Sequence, residues 1–265
     1  MRWKSIRRRW SKLWPGRNKK RRRKTSRGAQ PNKPTRWRRY FKWTFRFALF
    51  LFVVDIFYLG TIWPDWENIA TRPVPKSQFI LAYENRREQD RSLPRLRWYP
   101  VSYQQISPQL PRMVVLSEDG RFYRHRGIDL EALLEAIEYN FDRGRIVYGA
   151  STISQQTVKN LFLTPSRDPL RKWHELVLTL GMEFNLSKRK ILELYLNIAE
   201  FGLGIYGAEA AARAYWGIPA SQLNQRQAIE LAASLPSPKR HNPATDTRRF
   251  QNRVARIERY LSFQP

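Results

Sequence analysis

One run constrains this chain more than any other: Phe47-Ala-Leu-Phe-Leu-Phe-Val-Val-Asp-Ile-Phe-Tyr-Leu-Gly-Thr-Ile-Trp63, 17 residues carrying one charge. At about 1.5 Å of rise per residue, a helix of this length covers roughly 25 Å, near the lower limit for crossing a bilayer core. Tyr40, Phe41, Trp43 and Phe45 extend the apolar face, and the stems of Lys42 and Arg46 are long enough to snorkel. The flanking charge is lopsided. Of 49 Lys and Arg, 20 fall in residues 1–46, which hold no Asp or Glu, while Pro64-Asp65-Trp66-Glu67 follows the run. A cleaved signal would want a short basic lead and a small-residue cleavage site, and a buried core helix leaves the asymmetry unexplained. We read residues 40–63 as a single uncleaved transmembrane anchor with its N-terminus in the cytoplasm. Asp55 sits awkwardly in it, since a mid-span carboxylate costs roughly 2.5–3.5 kcal/mol on insertion scales. Protonation, a partner helix and simple tolerance of one charge each accommodate it.

Residues 1–39 read as a solvated basic tail, in which like charges repel and no apolar periodicity offsets chain entropy. Trp3, Trp10, Trp14 and Trp37 punctuate it and suit a headgroup layer. Because the tail and anchor take 20 of the cations, the rest of the chain sets 29 against 22 acids and is only mildly basic. That argues against a folded nucleic-acid-binding domain despite a formal charge of +27. With no cysteine, disulfides, thiolate metal sites and cysteine nucleophiles are excluded. Pro73, Pro75, Pro94, Pro100, Pro108 and Pro111 interrupt residues 64–112. We expect an extended connector there, with short strands at 77–83 and 95–101.

Residues 113–265 are expected to form a mainly helical body. Leu130, Leu133, Leu134, Ile137 and Phe141 follow helical spacing, as do Phe250, Val254, Ile257 and Leu261. Asp168-Pro169, Ser187 and the Asn224/Gln227 pair mark helix starts. Four polar constellations break this core-building logic. Glu118 and Asp119 end an apolar run, where desolvation raises a carboxyl toward the range of a general base; a capping acid on a surface turn has the same spacing. Ser151 can cap a helix whose Thr152, Gln155, Gln156 and Lys159 share a face suited to phosphate or sugar hydroxyls, or simply to water. Arg171, Lys172 and Glu175 suit a charged site or an ordinary i, i+4 ion pair. Gly202, Gly204 and Gly207 follow a helix bearing Asn197 and indicate close backbone approach.

Taken in order, these constellations resemble the motifs of the peptidoglycan glycosyltransferases. Glu118-Asp119-x-x-Phe122-x-x-His125-x-Gly127 matches the first motif and Gly149-x-Ser151-Thr152-Ile153-x-Gln155-Gln156-x-x-Lys159-Asn160 the second. Arg171-Lys172-x-x-Glu175 matches the third, and Ile191-Leu192-x-x-Tyr195-Leu196-Asn197 through Gly207 the fourth. Glu230-x-Ala232 with Pro236 and Pro243 resembles the fifth, so the likeness covers roughly residues 80–260. It implies a mainly α, lysozyme-like glycosyltransferase domain behind the anchor, of the monofunctional biosynthetic form without a transpeptidase domain, at a bacterial inner membrane with the body periplasmic. The implied reaction joins lipid II to a nascent glycan strand by a β-1,4 bond, inverting at the donor anomeric carbon and releasing undecaprenyl diphosphate. By the same resemblance Glu118 is the base, Lys159 and Arg167 meet the pyrophosphate, and Ser151, Gln155, Gln156 and Asn197 line the sugar and phosphate groove. Asp119, Arg171, Lys172 and Glu175 join them as substrate-binding residues. The implied partners are lipid II, the strand, the bilayer and other cell-wall synthesis proteins, with no nucleic acid.

One position departs from the family pattern. Many members carry a glutamate linked to metal or diphosphate just before Ile191-Leu192, where this chain has Lys190. We therefore expect weaker dependence on Mg²⁺ or Mn²⁺, with Lys190 as neutraliser of the diphosphate. Ala150 in place of a second glycine is a smaller departure. Two other readings remain at this point: a lysozyme-like enzyme that cleaves glycan, and a membrane-tethered binder without catalysis.

Overall fold

The prolines of residues 64–112 turn out to bracket helices rather than forbid them. The computed structural model describes residues 36–144, 149–164 and 169–263, so Arg167 and Asp168 lie outside the described residues. The chain divides into two compact units, one up to Asp55 and one from Ile56 onward. In the first, the described residues belong to α1 (Arg36–Thr61), and its Phe45, Phe47, Phe50 and Phe52 are exposed. This helix is long and apolar enough to cross a membrane.

In the second unit, α2 (Trp66–Thr71) is capped by Asp65, whose side chain accepts from the Asn68 N–H. Next comes α3 (Gln78–Gln89), where a strand was expected. The Ser77 hydroxyl accepts from the Ile80 N–H, and Ile80 and Tyr83, three apart, are buried on one face. Pro73 and Pro75 precede the cap and Pro94 follows the end, so none removes a helical hydrogen bond. The helical body also starts earlier than expected, with α4 (Gln109–Glu118). Pro111 falls in its first turn, where an N–H has no intrahelical acceptor and its loss is harmless.

The remaining helices are α5 (Leu130–Asp142), α6 (Ile153–Phe162), α7 (Pro169–Asn185), α8 (Lys188–Ile198), α9 (Ala208–Trp216), α10 (Gln225–Ser234) and α11 (Arg248–Ser262). Ser187 caps α8 through the Lys190 N–H, and Asn224 with Gln227 forms a capping box on α10, as the sequence predicts. One contiguous core joins Met113 and Val114 of α4 to Leu231 of α10, and includes Val158 of α6 and Leu194 of α8. Phe250, Val254 and Ile257 close it from α11.

A small sheet runs β1-β3-β2, from β1 (Arg97–Trp98), β2 (Glu200–Gly202) and β3 (Ile205–Tyr206). Arg97 pairs Ile205 in parallel and Glu200 pairs Tyr206 antiparallel. Gly204 at φ 74° turns β2 into β3, and a Cβ there would stand 2.5 Å from the Tyr83 hydroxyl. That hydroxyl donates to the Pro94 carbonyl, which ties α3 to the strand segment.

The α5 stripe departs from expectation in a different way. The helix is where its periodicity places it, but Leu130, Leu134, Ile137 and Phe141 point outward, and Ala136 is its one buried residue. Periodicity identifies an apolar face, not what covers it.

Candidate active site

Glu118 and Asp119 are adjacent at the end of α4, and the fold gives them opposite fates. Asp119 is buried and fully engaged. Its Oδ1 lies 2.9 Å from His125 Nε2, and its Oδ2 accepts from the Ile153 N–H at 3.0 Å, which fastens α6 onto the end of α4. Glu118 instead reaches the wall between two clefts. One, of about 650 Å³, lies toward α5 and is lined by Arg121, Asp129, Ala136 and Tyr139. The other, of about 440 Å³, lies toward α10 and α11 and is lined by Gln156, Ala233, Arg253 and Tyr260. Glu118, Gly149 and Ser151 line both.

Burial pushes the Glu118 carboxyl above its ordinary value, while a hydrogen bond from Gln156 and the cations Arg253 and Lys159 pull it back. Gln156 Nε2 donates to Glu118 Oε2 at 3.0 Å, and Tyr195 Oη donates to Gln156 Oε1 at 3.1 Å. The chain of donors leaves Gln156 one consistent orientation, with its amide hydrogens toward Glu118. Tyr195 is buried, and desolvation together with the nearby acids holds its phenol far above the usual range, so it serves as a donor. The result is a desolvated carboxylate with one oxygen held.

Thr152, rather than Ser151, caps α6. Its hydroxyl accepts from the Gln155 N–H and donates to the Gly127 carbonyl at 2.6 Å. Gln155 answers by accepting from the Thr152 N–H, so its carboxamide is buried in a capping box. Ser151 is exposed on the wall shared by the clefts. Gln156 and Lys159 occupy the next positions of the same helix face. Burial lowers the Lys159 ammonium and Glu175 raises it, with Arg171, Lys172 and Glu118 also within its field.

Glu175 is buried and takes both neighbouring cations: Arg171 Nη1 at 3.1 Å and the Lys172 ammonium. The i, i+4 pair is therefore an internal tie rather than a surface one. Asn197 is wholly buried. Its Oδ1 accepts from the Val101 N–H at 2.8 Å, and its Nδ2 donates to the Val101 and Glu193 carbonyls. All of these contacts are intramolecular.

Lys190 donates to Glu193 at 2.6 Å and to the Arg72 carbonyl at 3.2 Å. Those partners hold the Lys190 ammonium within the protein, and its expected role toward diphosphate is a proposal. Asp119, His125 and Asp129 offer ligand atoms within 4.8 Å of one another. Yet Asp119 is taken up by His125 and Ile153, and Asp129 by Arg121 at 2.8 Å and the Ala132 N–H. A guanidinium against one acid opposes a divalent cation, so this trio does not fit a metal.

Sequence reasoning missed Tyr195 as the donor behind Gln156, and Arg253, Arg256 and Tyr260 as cleft residues. The α11 residues had a signal. They repeat at helical spacing beside the core stripe Phe250, Val254 and Ile257, but nothing local shows that this flank faces Glu118.

The sequence model of the family described as Transglycosylase matches residues 89–261. A biosynthetic peptidoglycan transglycosylase of Laribacter hongkongensis is 42% identical over 217 residues, covering 82% of this chain and 92% of that protein. Proteins of the same description from Nitrosospira multiformis and Thiobacillus denitrificans are 40% and 45% identical. They cover 78% and 74% of this chain, and 90% and 83% of their own lengths.

Proposed function

The chain belongs to the transglycosylase family, and from that premise we propose that it polymerises lipid II into β-1,4-linked glycan with release of undecaprenyl diphosphate. The observation that carries this reading is the placement of one desolvated carboxylate, Glu118, on the wall common to two clefts. Glu118 removes the proton from the acceptor GlcNAc 4-hydroxyl as that oxygen attacks the donor anomeric carbon. The bond to diphosphate breaks on the opposite face, the electron pair leaves with the diphosphate, and the new linkage is inverted. A diphosphate departs without taking a proton, so one base suffices once its charge is balanced. Lys159, near Glu118 on the α6 face, supplies positive charge for that purpose, and the resemblance adds Arg167. Ser151 and Gln156 line the path of the sugars, and Arg171, Lys172 and Glu175 hold the cationic side of the site together.

Glycan cleavage is disfavoured by the same geometry. Hydrolysis calls for a general acid, commonly with a second carboxylate across the bond. The neighbouring acid, Asp119, is committed to His125 and the Ile153 N–H. The exposed apolar stripe of α5, whose Ala132, Ala136 and Tyr139 line the first cleft, suits a substrate carried on lipid. In this reading α1 is a single-pass anchor in the bacterial inner membrane, with a cytoplasmic N-terminus and the body in the periplasm. Association with other cell-wall synthesis proteins rests on the resemblance alone.

The test is to incubate the purified full chain in detergent with labelled lipid II and size the product. A ladder of glycan that muramidase digests is expected. Absence of polymer, or degradation of added glycan instead, would overturn the assignment.

A further inference from the structure

Arg249, Arg253, Arg256 and Tyr260 repeat at i, i+4, i+7 and i+11 along α11. They form a cationic and aromatic stripe beside the buried Phe250, Val254 and Ile257. Like charges at this spacing repel on a helix, and proteins usually intersperse acids among them. The stripe positions carry none, and the acid that α11 does hold, Glu258, pairs with Arg226. Among the described residues, neither Arg253 nor Arg256 makes an ion pair, although Arg226 on α10 finds both Glu230 and Glu258. Arg253 has a single long contact, Nη1 to the Ala233 carbonyl at 3.5 Å. Burial lowers its guanidinium, Arg256 and Arg249 push the same way, and Glu118 opposes them. His241 lies in the same field, its imidazole lowered by desolvation and then by Arg253, Arg249 and Arg240.

Arg253, Arg256 and Tyr260 line the 440 Å³ cleft that opens from Glu118, and Ala232, Ala233 and Pro236 of the α10 end form another part of its wall. A groove with a half-exposed tyrosine ring, small apolar residues and two cations that make no ion pair among the described residues, with Glu118 at its end, has the chemistry of a site for a sugar that carries carboxylates. Lys159 lies on α6, outside this cleft, so the diphosphate and this anion are served by separate cations.

We propose that the α10–α11 cleft is a glycan subsite in which Arg253 and Arg256 bind the carboxylates of the stem peptide on a muramic acid unit, with Tyr260 packing against the sugar. The proposal rests on the peptidoglycan reading above. It gives the enzyme a means of selecting peptide-bearing glycan over plain polysaccharide, and of holding the strand beside Glu118.

The experiment measures binding to the full chain in detergent of three probes. These are a soluble tetrasaccharide fragment of peptidoglycan with intact stem peptides, the same fragment with its carboxylates converted to methylamides, and inorganic pyrophosphate. The wild-type chain is expected to bind the intact fragment about tenfold more tightly than the amidated one, as for charge-assisted hydrogen bonds. The R253Q/R256Q variant should bind both fragments equally and keep its affinity for pyrophosphate, whereas R253K/R256K should keep part of the preference. Indifference of the wild type to amidation, or a preference that survives R253Q/R256Q, overturns the subsite. So does loss of pyrophosphate in place of glycan, which would make the stripe a phosphate site. Should the double variant fail to fold, the exposed single change Arg256→Gln is read by the same criterion. Failure of lipid II polymerisation with the preference intact would sink the proposed function and leave the subsite standing; the reverse result would sink the subsite alone.

Discussion

Replacing Asn197 by alanine separates two accounts of a residue that the family motif places in the substrate groove. In the structure its carboxamide makes three hydrogen bonds, to Val101 N–H, Val101 C=O and Glu193 C=O, at 2.8–2.9 Å in a fully buried position. Three such bonds contribute about 1 kcal/mol each, and an orphaned Val101 N–H adds about 1–3 kcal/mol more. The neighbouring bond from Trp98 Nε1 goes to the Asn197 main-chain carbonyl and survives the substitution, which bounds the damage. The sum is roughly 4–6 kcal/mol, a large share of the roughly 5–15 kcal/mol that holds an ordinary domain together. At about 2–4 °C per kcal/mol for a body of this size, Asn197→Ala should melt about 10–20 °C lower. Thermal unfolding of the full chain in detergent, paired with lipid II kinetics at 20 °C, provides the assay. We expect the lower melting temperature with KM nearly unchanged for the folded fraction. An unchanged melting temperature with a raised KM would refute the reasoning and put Asn197 back in contact with substrate.

Glu118→Gln should lower polymerisation by about 10²–10⁴-fold, the usual contribution of a general base, and more than about a tenth of wild-type activity would remove Glu118 from that role. The same change should raise thermal stability near neutral pH. Burial raises the folded-state Glu118 carboxyl, so its stabilising protonated form is present at low pH and lost as pH rises through that value. A melting temperature below wild type at neutral pH would contradict this, and the difference should shrink as pH falls. For the same reason the acid limb of the kcat/KM profile should lie above the ordinary glutamate range, and a limb at or below that range would place the working carboxylate in water. Gly207→Ala should destabilise the body by roughly 1–3 kcal/mol, the cost of a glycine-only backbone conformation. Its φ is 84° and a Cβ would stand 2.7 Å from the Asn197 carbonyl oxygen, so equal denaturation midpoints would show that the turn relaxes freely.

Much of this protein was legible along the chain because the relevant physics is local. A 17-residue, mostly apolar run after a basic tail identifies α1, Ser187 and Asn224 announce α8 and α10, and the α11 core stripe repeats at helical spacing. The ordered motifs also point to Glu118. Local signals failed where a residue's role is set by partners distant in sequence. Ser77–Tyr83 looked extended among prolines until packing against Tyr206 chose a helix. The α5 stripe has the period of a core helix and no core over it. Of two adjacent acids, Asp119 became structural because Ile153, 34 residues on, donates to it. Glu118 became the candidate base because Gln156, 38 residues on, holds one oxygen. Periodicity and capping act over one or two helical turns and are written in the sequence. Burial of a charge, and the donors that compensate it, depend on which helices meet, and the tertiary structure alone decides that.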